Sequence, residues 1–486
     1  MPLRAIWGAV LRVLPGINNA SVRTSEYLYG QGTYHDSDTI PTIFRLISAV
    51  ITGSFLYVPT AAAGITPTLW PMYAFQPGHN AFIKLPFPAV SWTFEVPGAA
   101  AARKAVLNNT TIRDLVGFPI GVSVADHAVF APNDNGYLYK LQAKSGKLDW
   151  AFDAYNQLMT TPVVARVAGK TLVFVGAGNS VFTYSHARKF GMKDAQVIRG
   201  SDVSAIDAVD AATGKLVWTY RTKGEDMPSA VFDHGMLIFG NGDGHVYALD
   251  AANGALKWKT AIQSFVSMSS AALDPQNNVV IVGGTHPSNI YALDATTGRL
   301  LWKVHPAHIF SSSGGDGTWA VADGLAIGQI ETRTKGQKSV SNSEELAIDI
   351  ATGKVVWSTT LGTGKTPPRN KDAVPAVDHG VIYTGSPVTH REYAINVSNG
   401  RILWTTPLKV GMKAAPTIVR NTVIQPTGNG NLFTLDRANG KVIHVANLHQ
   451  GGYGPQNGVA LGKTFFIGTN SGYLQAIPLQ KLGVDD

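Results

Sequence analysis

The chain has no cysteine among its 486 residues. That absence excludes disulfides, zinc–thiolate centres, thiol nucleophiles and a cysteine-linked lipid anchor. Charge is also scarce: Asp, Glu, Lys and Arg make up 15% of the chain, against about a quarter in an average soluble domain. Few ionisable groups limit self-repulsion when carboxylates protonate, which suits acid surroundings. A β-rich secreted chain that uses Thr, Ser and Asn in place of charges has the same composition. No run of lysines and arginines is present, so the formal net charge of +8 reads as a diffuse surface property. A nucleic-acid partner is not expected. No stretch of the expected mature chain is apolar for long enough to span a bilayer.

The first 44 residues carry no repeat. Met1 to Leu14 is apolar with Arg4 and Arg12 inserted, as in a short amphipathic helix. Arg45 then precedes a short apolar stretch that ends at Val58, followed by Pro59-Thr-Ala61-Ala-Ala63. A positive residue, a short apolar stretch and an Ala-x-Ala site are the parts of a secretory signal peptide. The expected division is a leader and signal peptide over residues 1–63, an N-terminal segment over 64–89, and a folded domain over 90–486. The length ahead of Arg45 fits a translation start at a later codon. The expected location is the periplasm or the cell exterior, with association to the outer-membrane surface open.

What the chain has in abundance is glycine, 51 residues, and one phrase that recurs. In Gly244-His-Val-Tyr-Ala-Leu-Asp250-Ala-Ala-Asn-Gly254-Ala-Leu-Lys-Trp258, alternate positions describe a strand. Asp250 opens a turn, Gly254 supplies the positive φ that ends it, and Trp258 is the large inward residue of a second strand. The ending recurs as Gly214-Lys-Leu-Val-Trp218, Gly298-Arg-Leu-Leu-Trp302, Gly353-Lys-Val-Val-Trp357 and Gly400-Arg-Ile-Leu-Trp404. Looser copies are Gly146-Lys-Leu-Asp-Trp150 and Gly440-Lys-Val-Ile-His444, where histidine replaces the Trp. Trp92 stands in a closing strand without its own hairpin, and Gly472-Tyr-Leu-Gln-Ala-Ile-Pro478 is an opening strand without its Trp. Pairing these two ends completes an eighth copy and closes a ring. The period therefore predicts an all-β, eight-bladed β-propeller. Three insertions exceed a bare blade: Asn179–Ser201 with Arg188, Lys189, Lys193 and Arg199, Thr332–Glu345, and the stretch around Ala99–Arg113. Insertions of that length are expected to be lids or subunit contacts, and the first makes a homodimer one expected arrangement.

Asp-x-x-x-Gly-x-x-x-Trp with an Ala-Leu-Asp lead-in resembles the quinoprotein-like β-propeller superfamily over roughly residues 90–480. The resemblance implies a ring in which each Trp docks on the neighbouring blade. Three functional classes share it. Quinone-dependent alcohol dehydrogenases hold pyrroloquinoline quinone with calcium and adjacent cysteines, and this chain has none. The outer-membrane assembly scaffold is normally a lipoprotein, and there is no cysteine to acylate. Tetrathionate hydrolases, secreted enzymes of acidophilic sulfur oxidisers, are the class the chain looks most like. The signal peptide, the sparse charge, the insertions and the stretch Ser311-Ser-Ser-Gly314-Gly-Asp316-Gly-Thr-Trp319-Ala resemble that family. An absence of thiols also suits a protein exposed to a thiol oxidant. The resemblance implies cleavage of the sulfur–sulfur bond of tetrathionate, a small anionic sulfur substrate, with neither cofactor nor metal.

The units can be aligned on Gly235, Gly324, Gly380 and Gly462, and eight places before these stand Met227, Asp316, Asp372 and Gly454. Lys413 fills the same slot by pattern. These positions begin inner strands and are expected to ring the channel mouth, where propellers gather ligand contacts. With Lys365, Arg369, Lys371 and Tyr453 nearby, the ring mixes carboxylates and cations, which suits a dianion. The resemblance implies a catalytic aspartate in a Gly-rich stretch, here Asp316, between Gly315 and Gly317. A plain turn aspartate is the alternative. Lys413, Arg369, Tyr453, Trp319, Lys371 and Asp372 are the expected substrate contacts. For Asp372 the favoured reading is a solvated rim pair with Lys371 or Arg369, and it is expected to matter far less than Asp316. His234 and His379 recur before turn glycines and read as turn structure.

Overall fold

A computed structural model describes residues 67–100, 116–178, 204–310, 313–333, 336, 339–367, 372–455 and 457–485. The leader and the Asn179–Ser201 insertion lie outside the described residues. Eight sheets follow one another round a ring. Seven are four-stranded meanders: blade 1 spans 123–153, blade 2 163–222, blade 3 231–261, blade 4 272–304, blade 5 320–365, blade 6 376–407 and blade 7 417–447. Blade 8 is composite. The strands Val459–Leu461, Thr464–Gly468 and Tyr473–Pro478 come from the C-terminus, and Trp92–Glu95 is laid on their outer edge. That last pairing is antiparallel, with Trp92 opposite Ala476 and Glu95 opposite Tyr473. The ring predicted from the repeat, closed by the Trp92 and Tyr473 strands, is the ring observed.

First strands of neighbouring blades touch one another, so they form the inner wall. Third strands such as His245–Asp250 are buried, whereas fourth strands such as Leu256–Ala261 alternate exposed and half-buried. The recurring Trp sits on this outer strand and reaches forward. Seven indoles, from Trp92 to Trp404, donate their N–H to a carbonyl in the next blade's glycine-ended hairpin turn at 2.7–3.2 Å. The turn's glycine lies flat on the same ring. A Cβ on Gly353 would come within 2.7 Å of Trp302, and Gly353 has φ +69°. Glycine is thus required twice over, by backbone conformation and by the indole face. His444 takes the Trp place in blade 7, where Gly483, after the 3₁₀ turn Leu479–Leu482, packs against it.

The N-terminal segment has a role that the repeat did not announce. Residues 67–83 run along the inner wall and satisfy N–H groups of the innermost strands, whose inward edge is otherwise unpaired. Val164 donates to Trp70, Phe232 to Pro71, Val321 to Pro77, Val377 to Gly78 and Ala460 to Ala81, all at 2.6–2.9 Å. Asp126 donates to Pro67 and Ile418 to the Asn80 side chain. Phe82–Ile83 then adds a parallel fifth strand to blade 8. Trp70, Met72, Tyr73 and Ala74 are buried. This strap packs against the inner strands.

Blade 5 is the longest, with strands Leu325–Arg333, Val340–Asp349 and Val355–Lys365. The Thr332–Glu345 insertion thus extends the sheet itself, with Arg333 opposite Ser341 and Val340 opposite Lys365. Among the described residues no helix is long and apolar enough to cross a membrane.

Candidate functional site

Crossovers between blades emerge on one face of the ring, and the Asp-x-x-x-Gly turns on the other. Met227, Asp316, Asp372 and Lys413 all stand in crossovers, four places ahead of the inner strands that begin at Val231, Ala320, Ala376 and Thr417. The slot inferred from the repeat is therefore one register position in these four crossovers, whereas Gly454, reached by the same count, stands five places ahead of Val459 and is out of register by one.

The crossover from blade 4 to blade 5 is gripped from three sides. From the crossover that leads into blade 4, the N–H groups of Met268 and Ser269 donate to the carbonyl of Gly315 at 3.2 and 3.1 Å. Ser270 N–H donates to Thr318 Oγ1 at 3.1 Å. From blade 5, Trp319 Nε1 donates to the carbonyl of Gly314 at 3.2 Å, and Glu331 N–H donates to Ser313 Oγ at 2.7 Å. From the start of blade 6, Asp372 accepts from Ser313 Oγ–H through Oδ1 and from Gly314 N–H through Oδ2, both at 2.7 Å. The glycines are there for this packing: a Cβ on Gly315 would lie 2.5 Å from Thr285 and one on Gly317 3.0 Å from Asp372. Between Ser313 and Thr318, Asp316 alone is not buried. The loop fixes its own backbone in protein and leaves the Asp316 carboxylate half-buried.

Asp372 is 2% exposed. Burial pushes its carboxyl well above the ordinary carboxylate range, the Asp316 charge adds to this, and the bonds from Ser313 and Gly314 oppose it. Glu331, also buried, pushes in the same upward direction. The solvated-rim reading of Asp372 is therefore corrected: a side chain with both oxygens bound inside the loop is part of the framework. The rim reading failed because the neighbouring charges in sequence suggested solvent, while the enclosure comes from another blade.

Val374 N–H donates to the carbonyl of Lys413 at 3.1 Å, which ties the next crossover to the same group. Lys413 is half-buried. Trp319 and Tyr453 are expected contacts that the structure places inside the protein, at 1% and 2% exposure. Trp319 supports the loop from beneath. Tyr453 donates its hydroxyl to Gln475 at 3.3 Å, and burial pushes that phenol upward. Arg369 and Lys371 lie outside the described residues. Sequence reading missed Ser313 as the link to Asp372, and it missed Gln329, Glu331 and Glu345. Gln329 and Glu331 flanking Ile330 on one strand, and Glu345 beside Leu346 on the next, were the available signal: polar residues interleaved with apolar ones. Gln329 donates to the carbonyl of Gly385 at 2.8 Å, and Glu345 opposite it is pushed by burial to about 8.

Among the described residues no three His, Asp or Glu side chains gather as a metal site. With no cysteine either, the donor set that the resemblance attaches to quinone–calcium binding does not fit these crossovers. A groove of about 560 Å³ lined by Tyr383, Trp404 and Arg437 opens beside the aspartate turn of blade 7, away from the Asp316 loop.

A family model, PQQ_2, described as outer membrane protein assembly factor BamB, matches residues 199–329 and 342–481. Tetrathionate hydrolase from Acidithiobacillus ferrooxidans is 29% identical over 446 residues, covering 86% of this chain and 88% of that one. Tetrathionate hydrolase from Acidianus ambivalens is 27% identical over 174 residues, 35% of this chain and 31% of its own. Among solved structures, a europium-containing methanol dehydrogenase superposes with a TM-score of 0.59 at 13% identity, covering 82% of this chain and 89% of that one. At that identity the likeness concerns the fold.

Proposed function

We propose that this chain, which belongs to the PQQ_2 family of β-propellers, is a hydrolase that cleaves a sulfur–sulfur bond of tetrathionate. The observation that carries the reading is the match to a tetrathionate hydrolase along 86% of this chain and 88% of that one. A propeller likeness alone would be shared by scaffolds and dehydrogenases. The Asp316 loop supplies a group suited to the chemistry: a carboxylate on a backbone held from three sides.

The overall reaction balances as tetrathionate plus one water giving thiosulfate, sulfate, sulfur and two protons. Water must lose protons as its oxygen bonds to sulfur, and the sulfur–sulfur electron pair must leave with the departing fragment. Asp316 takes a proton from the attacking water or returns one to the departing sulfur. Lys413, with Arg369 and Lys371, holds the sulfonate ends and offsets the charge that builds as the bond breaks. Tyr453 and Trp319 support these groups from within. The reading includes export, on the Ala61-Ala-Ala63 site, to the periplasm or beyond, work in acid surroundings, and a homodimer formed through the Asn179–Ser201 insertion.

Purified protein incubated with tetrathionate at acid pH is expected to release thiosulfate. Dye-linked alcohol oxidation after quinone addition, with no thiosulfate, would move the chain to the dehydrogenase class. N-terminal sequencing of the exported protein and its mass in solution test the remaining parts.

A further inference from the structure

We infer that Asp372 is a positioning residue for the reaction, holding through Ser313 and Gly314 the loop that presents Asp316. The inference rests on the hydrolase reading above for its kinetic consequence. Its structural half stands on the hydrogen bonds alone.

Five features carry it. Asp372 belongs to a different crossover from Asp316, 59 residues beyond Ser313 in sequence, so local turn formation does not explain the contact. Both of its oxygens are used, one on the Ser313 hydroxyl and one on the Gly314 N–H. Gly314, with φ +83°, is the point at which the chain turns toward Asp316. Ser313 also receives the Glu331 N–H, so an inner element of blade 5 is joined through one hydroxyl to the start of blade 6. Among the described residues Asp372 has no ion-pair partner, and the carboxyl groups that face it are Asp316 and Glu331. A buried carboxyl with acidic neighbours is an expensive way to fasten a loop. Its retention makes sense where the loop must hold a second carboxylate to within a fraction of an ångström.

The test is a double-mutant cycle read by kinetics and by hydrogen exchange. Asp372→Ala is expected to lower kcat for thiosulfate release by roughly 30- to 300-fold while KM changes by less than about threefold, since misplacing a catalytic group by about 1 Å is worth ~100-fold. Asp372→Asn keeps one acceptor oxygen and should recover part of that loss. In an Asp316→Asn background, Asp372→Ala should change the residual rate by less than about twofold, because it acts through Asp316. An equal loss in both backgrounds would mean a general structural role and overturn the proposal. Exchange measured on the peptide covering Ser313 to Trp319 should speed up in Asp372→Ala while the blade strands stay protected. Unchanged protection there would overturn it whatever the kinetics. If the alanine variant does not fold, Asp372→Asn and Ser313→Ala carry the same comparison. A wild type that releases no thiosulfate sinks the hydrolase reading, and exchange then decides alone whether Asp372 holds the loop.

Discussion

The Trp319 indole donates to the Gly314 carbonyl on one edge. Gly328 lies against its face, where a Cβ would come within 2.7 Å. Trp319→Phe removes the donor and keeps most of the packing. It is expected to lower stability by about 1–2 kcal/mol, the cost of leaving a buried carbonyl unpaired, and to reduce turnover because the Asp316 loop loosens. A denaturant midpoint and a rate measured on the same preparation check both. At this scale the sequence exposed positions better than environments. Counting back from turn glycines located Met227, Asp316 and Asp372 in equivalent crossovers, and pattern added Lys413, because the repeat fixes the spacing between the turn and the inner strand. It did not reveal that Asp372, Trp319 and Tyr453 are enclosed. Their enclosure is made by residues far away in the chain, such as Ser313 for Asp372 and Gln475 for Tyr453, and spacing along one segment carries no record of them.

The hairpin and its Trp form the unit from which the ring is assembled. Adding a methyl group to Gly353 forces both a positive φ on a side-chain-bearing residue and a clash with Trp302. Gly353→Ala is expected to destabilise by about 2–4 kcal/mol, since the left-handed conformation alone costs on the order of 1–3. Gly336→Ala, a positive-φ glycine with no atom near its Cβ position, should cost only the conformational part. Thermal midpoints of the two variants compare them directly. The motif made these contacts legible, since Asp, Gly and Trp each have a physical duty in it. The inner strap was not legible. Residues 67–83 have no periodicity because they serve seven blades in turn through backbone carbonyls and the Asn80 side chain. Deleting 67–83 is expected to abolish folding or to leave a protein that aggregates on its unpaired inner strands, seen as loss of monodisperse material on size exclusion.

Over the whole molecule, the buried carboxyl groups are the dominant pH-dependent element. Glu345 is fully buried with its titration pushed to about 8. Glu392, Asp372 and Asp226, all buried, are pushed upward chiefly by the same loss of solvent. A carboxyl whose folded value lies above its unfolded one binds its proton more tightly in the folded chain. Its contribution is complete below the unfolded value near ~4 and is lost as the pH climbs through the folded value. For Glu345 that window runs from ~4 to about 8. His79, buried in the strap and lowered to about 4 by burial, works the other way and offsets part of the gain between ~6.5 and about 4. Asp134, pushed to about 7, and Asp207 are raised by burial too, while the lowered Asp210, Asp250, Asp294 and Asp349 act only below ~4, so over this window the raised carboxyl groups outweigh the one lowered imidazole. The thermal midpoint should rise as the pH falls from 8 to 5, and Glu345→Gln should flatten the rise by stabilising the neutral-pH end. A midpoint that rises toward pH 8 in the wild type would contradict this. The eight-blade ring was legible because it is written eight times, whereas this acidity of the interior is written in single residues whose burial only the closed ring creates.

The central claim is that the half-buried carboxylate of Asp316, in the loop from Ser313 to Thr318, serves the proposed hydrolysis of tetrathionate, and one measurement tests it most directly. Thiosulfate release at acid pH is compared between wild type and Asp316→Asn, which keeps the shape of the side chain and removes its proton chemistry. The account predicts release by the wild type and a loss of at least about 100-fold in kcat for the variant, with fold and thermal midpoint retained. Full activity in Asp316→Asn would contradict the assignment of the residue, and no release by the wild type would contradict the function itself.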